Sequence, residues 1–346
     1  MPGPSRRWRM LFTDAGEFSA PDDFLRQAAE AGVDIEMLPG HEREEIMARA
    51  VDCDGLFLFR ARIDGPLLDT LPRCRLLARV GTGYDLIDAV AARERGVMVT
   101  NVPDFCTEEM SDHVLLFILA FARRLPDIAR AACGHHWLRV DELPMPRRVA
   151  GKTLGLIGFG RSGQRAAEKA RAFGMTVLVS TRTPRPEALA RTGAHAVSFD
   201  EVLGCDYVSL HLPLTPETRG LIGRAALKRF SPGAILINVA RGAIVDTDAL
   251  VDALRAGRLG GAGLDVVDPA PLPPGHPLWE MPQVMITSHT AGLSTEAYRH
   301  SLAVALADTV AVARGLPPRH PVPEMHVVIG AETAGAAAAT EGRTSP

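Results

Sequence analysis

Gly158-Phe159-Gly160-Arg161-Ser162-Gly163 is the stretch of this 346-residue chain whose residue types and spacing limit the chemistry most narrowly. It follows the apolar run 153–157 and opens the amphipathic segment 164–173, the strand-to-helix context that a dinucleotide-binding turn requires. Gly158 permits the tight turn. Gly160 lets backbone amides, those of Arg161 and Ser162 included, approach a pyrophosphate at the helix N-terminus. Gly163 lets helix and strand pack closely. A NAD-binding fold then places an acid about 20 residues past the first glycine, at the end of the next strand, for the ribose 2′-hydroxyl. Thr181 stands there instead, and no acid occurs between Lys169 and Pro186. Arg182 and Arg185 follow. Hydroxyls and guanidiniums accept a 2′-phosphate that an acid would repel, so NADP(H) is favoured and NAD(H) stays possible. The missing acid carries more weight than the arginines, because all 38 basic residues but Lys152, Lys169 and Lys228 are arginine.

A turn of this kind needs a parallel sheet behind it. The first hundred residues alternate strand candidates (9–13, 33–38, 55–59, 76–80, 97–101) with helical segments (24–31, 42–50, 87–95). Gly32 and Gly96 stop two of those helices. Pro103 ends the block. Thr107, Glu108 and Glu109 read as a cap and acidic first turn of one long helix through about 132. Its run VLLFILAFA is apolar all round, so it is expected to be buried between domains or between subunits. A second alternating block begins at Gly151, with strands at 153–157, 176–180, 207–212, 234–239, 263–267 and 284–287. Helices at 164–173 and 248–256 close on Gly174 and Gly257, and a last helix spans 293–314. Strands alternating with helices imply an α/β fold with parallel sheets covered on both faces.

Composition bounds the function. With 47% hydrophobic and 23% charged residues the chain can bury large cores, and its length suits two domains. A net charge of −3 gives no footprint for nucleic acid or an acidic membrane surface. The longest purely apolar run has nine residues, far below the ~20 a membrane span needs. The start MPGPSRRWRMLFTDAG carries no apolar h-region. The five cysteines are isolated, so the expectation is reduced thiols in a cytoplasmic protein with no metal site.

Several segments resemble one family in type and order: the glycine turn, Val239-Ala240-Arg241-Gly-Ala-Ile-Val-Asp246, Gly261-Ala-Gly-Leu-Asp265-Val266 and Ile286-Thr-Ser-His289-Thr-Ala-Gly292. They are similar to the D-isomer-specific 2-hydroxyacid dehydrogenases. Gly81-Thr82-Gly83-Tyr-Asp85 fits that family's substrate loop. The segment 101–113 resembles the branch of bacterial C-terminal-binding-protein-like and phosphoglycerate-dehydrogenase-like proteins. The resemblance implies two Rossmann-like doubly wound domains, the nucleotide-binding one (104–292) inserted into a flavodoxin-like substrate domain (1–103 and 293–325), with 326–346 as a disordered tail. It implies an oxidoreductase that interconverts a small 2-oxo acid and a 2-hydroxy acid, and a homodimer through helix 107–132. Arg241 would bind and polarise the oxo acid, and His289 would be the general acid. The amides of Thr82 and Gly83 would hold the substrate carboxylate. Ala240 and Asp265 would lie near the nicotinamide, with Thr107, His289 and Gly292 also close to the cofactor.

The chemistry agrees with those assignments. Hydride addition to a carbonyl builds negative charge on oxygen, which a cation and a proton donor stabilise. Two positions depart from the family pattern. Ala270 stands where a glutamate pairs with the histidine, unless Asp268 takes that part, and Ser288 stands where proline commonly precedes the histidine. The missing carboxylate and the C-terminal-binding-protein-like segment 101–113 leave a second expectation: a dinucleotide-binding regulatory or scaffold protein with little turnover.

Overall fold

The computed structural model describes residues 6–325; the expected disordered tail at 326–346 lies outside the described residues. The chain divides into two compact units, one made of residues up to Phe105 together with those from Thr295 on, the other Cys106–Ser294. The second unit is therefore an insertion in the first.

The first unit holds a five-stranded sheet of β1 (Trp8–Phe12), β2 (Val33–Met37), β3 (Gly55–Leu58), β4 (Leu76–Arg79) and β5 (Met98–Thr100), in the order β2-β1-β3-β4-β5. Every pairing is parallel. Successive side chains point to opposite faces, and both faces are covered. Met10, Phe12, Phe57 and Ala78 pack with the helices Asp22–Glu30 and Thr295–Ala313. Leu11, Leu56, Leu58 and Leu77 pack with residues of the helices Arg43–Ala50, Gly65–Leu68 and Ala89–Glu94. Double coverage is why the inner strands β3 and β4 read as apolar runs, while the edge strand β2 alternates.

The second unit holds β6 (Thr153–Ile157), β7 (Thr176–Ser180), β8 (His195–Ala196), β9 (Tyr207–Leu210), β10 (Ala234–Asn238), β11 (Leu259–Leu264) and β12 (Val284–Ile286), all parallel, in the order β12-β11-β10-β9-β6-β7-β8. The direction of winding reverses between β6 and β9. Leu154, Leu156, Val177 and Val179 share one face with residues of the helices Thr107–Ala122 and Arg161–Ala172. Leu236, Leu210 and Leu264 share the other with the helix Thr247–Arg255.

Two expectations change. The long helix through 132 is broken: Thr107–Ala122 ends at Arg123, Arg124 takes a left-handed φ of 56°, and a second helix runs Leu125–Cys133 with Pro126 in its first turn. The apolar face of the first piece is spent inside its own unit, where Val114, Phe117 and Ile118 pack on the sheet. The strand expected at 263–267 runs Leu259–Leu264 instead, through three glycines. Two of those glycines admit the helix: a Cβ on Gly263 would stand 2.6 Å from the Phe117 ring, and one on Gly261 2.8 Å from the Phe121 ring. No helix among the described residues is long and apolar enough to cross a membrane.

Candidate active site

In the second unit the candidate residues fall at the carboxyl ends of its strands, where open α/β sheets take their ligands. The glycine turn follows β6, beside the reversal in strand order. Gly158 has φ 93°, and a Cβ there would stand 2.3 Å from the His211 carbonyl oxygen, so this position excludes any side chain. A Cβ on Gly160 would meet nothing within 4 Å, so the space before the turn is open. The helix Arg161–Ala172 has no side-chain cap. The Arg161 and Ser162 amides donate to no protein acceptor among the described residues. An uncapped helix start facing open space fits a pyrophosphate. Thr181, Arg182 and Arg185 follow β7, with Arg182 and Arg185 exposed.

His211, which the sequence did not single out, sits beneath this turn. It follows β9 and faces a serine on each side: Ser162 Oγ lies 3.0 Å from Nδ1 and Ser209 Oγ 3.1 Å from Nε2. Burial pulls its pKa down to about 4, so the ring is neutral at physiological pH. A polar residue just past the strand at the reversal was the available signal.

Arg241, Asp265 and His289 follow β10, β11 and β12, three adjacent strands, and backbone bonds tie their loops together. The Asp265 amide donates to the Asn238 carbonyl (2.9 Å), and the His289 amide donates to the Asp265 carbonyl (2.9 Å). Asn238 shapes the Arg241 turn: its Nδ2 donates to the Arg241 carbonyl (2.9 Å) and its Oδ1 accepts from the Ala240 amide (3.0 Å). Arg241 Nη1 donates to the Ala240 carbonyl at 2.8 Å. His289 has a left-handed φ of 57°, an uncommon state for a side chain of its size. The 2%-exposed Asp265 accounts for its persistence, since its carboxylate accepts from the Thr290 amide (2.8 Å) and the Ala291 amide (3.1 Å). Thr107 opens the helix Thr107–Ala122, and Gly292 lies in the turn after Ala291.

Ala270 is exposed in the loop after β11. Asp268 faces elsewhere: its carboxylate lies 3.9 Å from Arg219, and its carbonyl accepts from the Thr247 hydroxyl. No cluster of His, Cys, Asp or Glu able to hold a metal occurs among the described residues.

Thr82 and Gly83 belong to the first unit, in the loop after β4. Arg79 Nε donates to the Gly83 carbonyl (2.8 Å), Asn101 Nδ2 donates to the Thr82 carbonyl (2.7 Å), and the Thr82 hydroxyl donates to the Val102 carbonyl (3.0 Å). The loop's carbonyls are thus turned into the protein. The Thr82 and Gly83 amides donate to no protein acceptor among the described residues, an arrangement that suits an anion.

Comparison with known proteins agrees with this geometry. Residues 115–291 match the family model described as D-isomer specific 2-hydroxyacid dehydrogenase, NAD binding domain. Over 282 residues the chain is 40% identical to a glyoxylate reductase of Aeropyrum pernix, an overlap covering 80% of this chain and 84% of that one. It is 36% identical to the D-3-phosphoglycerate dehydrogenase of Mycobacterium leprae, over 77% of this chain and 50% of that longer protein. Among solved structures, the TT0316 protein of Thermus thermophilus matches with a TM-score of 0.84 and 41% identity, over 91% of this chain and 99% of that one. Relatives named for reductase and dehydrogenase activity do not favour a purely regulatory role. With two parallel-sheet units, a dinucleotide turn and this match across four fifths of its length, the chain belongs to the D-isomer-specific 2-hydroxyacid dehydrogenases, oxidoreductases that interconvert 2-oxo and 2-hydroxy acids with a nicotinamide dinucleotide.

Proposed function

We propose that the protein is an NADP-preferring reductase of a small 2-oxo acid, with glyoxylate the first substrate to test because a 40%-identical relative is named for it. The observation that carries this reading is the placement of Arg241, Asp265 and His289 on three adjacent strand ends. The bound dinucleotide supplies the hydride. Arg241 holds the oxo acid and stabilises negative charge as it develops on the carbonyl oxygen. His289 delivers the proton to that oxygen; imidazole is the side chain whose ordinary pKa lies nearest neutrality. Thr82 and Gly83 take the substrate carboxylate through their free amides. The amides of Arg161 and Ser162 receive the pyrophosphate in the turn framed by Gly158, Gly160 and Gly163. Thr107, Ala240, Asp265 and Gly292 complete the surroundings of the cofactor.

The coenzyme preference rests on Thr181, Arg182 and Arg185. Catalytic efficiency should be higher with NADPH than with NADH. Thr181→Asp should move the preference towards NADH by placing a carboxylate where the 2′-phosphate would sit. Turnover of a panel of 2-oxo acids with each coenzyme tests both parts, and a wild-type preference for NADH would remove the NADP reading. Five free cysteines suit a reducing, cytoplasmic compartment. The protein is further proposed to be a homodimer through the segment after Pro103. Leu116, Leu125, Ile128, Trp137, Val140 and Met145 are all exposed there, Trp137 at 92%, an apolar concentration that a partner subunit would cover.

A further inference from the structure

Three side chains, His113, Thr287 and Asp265, form a chain of hydrogen bonds behind His289, and the first two have no part in the reaction as proposed. His113, in the second turn of the helix Thr107–Ala122, places Nε2 3.0 Å from Thr287 Oγ1. Thr287 Oγ1 lies 2.5 Å from Asp265 Oδ1. The directions in this chain follow from the groups themselves. The Asp265 carboxylate accepts, so the single Thr287 proton points to it. The Thr287 lone pairs therefore face His113, and Nε2 must carry the ring proton. The ring meets Phe117 edge to face at 4.8 Å, which sets its plane. Asp265, 3.9 Å away, is the charged group beside it. Burial outweighs that charge and holds the His113 pKa below its ordinary value, so the ring is neutral near pH 7 and its one donor is committed to Thr287.

We infer that His113 is a positioning residue for this reaction: through the Thr287 hydroxyl it fixes the carboxylate of Asp265, which grips the amides following His289. Asp265 Oδ1 also receives the Thr290 amide (2.8 Å) and Oδ2 the Ala291 amide (3.1 Å), while its backbone carbonyl receives the His289 amide (2.9 Å). His289 keeps its left-handed φ of 57° because donors on both sides are held by this one residue. Without the His113 donor, the Thr287 lone pairs go unfilled, and the bond from Thr287 to Asp265 loses its anchor on the helix and the strengthening that a donor to the hydroxyl oxygen gives it. This network holds the His289 loop from within its own unit. The inference rests on His289 as general acid for its kinetic consequence, but not for its structural one.

Two substitutions separate hydrogen bonding from packing. His113→Phe keeps a ring against Phe117 and removes the donor. His113→Gln removes the ring and restores an N–H at comparable reach. The phenylalanine variant should lose about tenfold in kcat for oxo-acid reduction, the weight of one hydrogen bond, with KM and coenzyme affinity within about twofold of wild type. The glutamine variant should recover most of that loss. In the 15N-labelled protein without coenzyme, the Thr290 and Ala291 amide resonances should shift in His113→Phe and return in His113→Gln. Wild-type His113 should show the neutral Nε2–H tautomer near pH 7. Thr287→Val should reproduce the phenylalanine variant and add nothing to it in the double variant, which keeps the test available if one protein folds poorly. The inference is overturned if His113→Phe behaves as wild type, if the glutamine variant is the slower, or if the proton sits on Nδ1. His289→Ala marks the other failure: retained turnover there removes the general-acid reading, while the two amide resonances still decide the clamp.

Discussion

At the scale of single residues, the proposed chemistry rests on Arg241 and Ala270. Arg241 emerges from β10 on a turn built by Asn238, and its planar guanidinium suits a carboxylate or a developing oxyanion. Arg241→Ala should cost turnover by ~3–4 kcal/mol, about 10²–10³-fold, the scale for losing an oxyanion donor. Arg241→Lys should rescue poorly, because a point charge lacks the fork. Coenzyme affinity followed by fluorescence should barely change, and near-normal turnover of the alanine variant would move the substrate cation elsewhere. Ala270 bears on the proton. A carboxylate beside a histidine raises its pKa by roughly 1–3 units when close. The Asp268 carboxylate lies 3.9 Å from Arg219. Ala270→Glu should therefore carry the alkaline limb of the reduction profile to higher pH and raise turnover, which a pH–rate comparison with wild type reads directly.

At the scale of elements, the structure joins the glycine turn to the sheet through His211. The ring bridges Ser162 on the helix after β6 and Ser209 on β9, across the point where the strand order reverses. Its pKa falls from 6.5 to about 4 because burial penalises the charged ring. The unfolded chain thus binds a proton between those values that the folded protein does not. Stability from this group is complete above pH 6.5 and is lost as pH falls towards 4, by roughly 3 kcal/mol. Thermal unfolding followed from pH 7.5 to 4.5 should show His211→Gln less stable at the upper end and less sensitive to acid. Equal slopes for the two proteins would sink this account. The same variant should weaken coenzyme binding, since the turn loses its tie to β9.

At the scale of the whole molecule, the proposed dimer rests on the exposed apolar residues between Leu116 and Met145. Leu125 and Ile128 stand on the helix that follows the break at Arg124, and no residue of that helix is buried. A helix without a buried face adds little stability unless a partner covers it. Light scattering should give a mass of two chains for the wild type. The double variant Ile128→Asp and Trp137→Asp should give one chain, with the circular dichroism of each unit retained. A monomeric wild type at micromolar concentration would exclude the dimer.

Much was legible in the sequence, for reasons local to the chain. The parallel sheets followed from apolar runs of four to six residues alternating with helices that stop on glycine, since each run was long enough to carry its own periodicity. The glycine turn was legible because its φ of 93° and its close approach to His211 exclude every other residue at Gly158. Arg241, Asp265 and His289 came from the resemblance of short segments, and the sheet then showed why those segments belong together: β10, β11 and β12 are neighbours. The break at Arg124 had one local signal, Pro126, which a first helical turn tolerates; the strand Leu259–Leu264 was not legible, because its glycines read as a loop until Phe117 is set against Gly263. Nor were the two polar networks. His113 meets Thr287 across 174 residues and Ser162 meets His211 across 49, separations at which no spacing pattern survives. The residue types of a strand or a turn are selected by neighbours a few positions away, so the sequence alone determined those elements. The partner of a buried imidazole is selected by whatever the fold brings within 3 Å, and that only the tertiary structure decided.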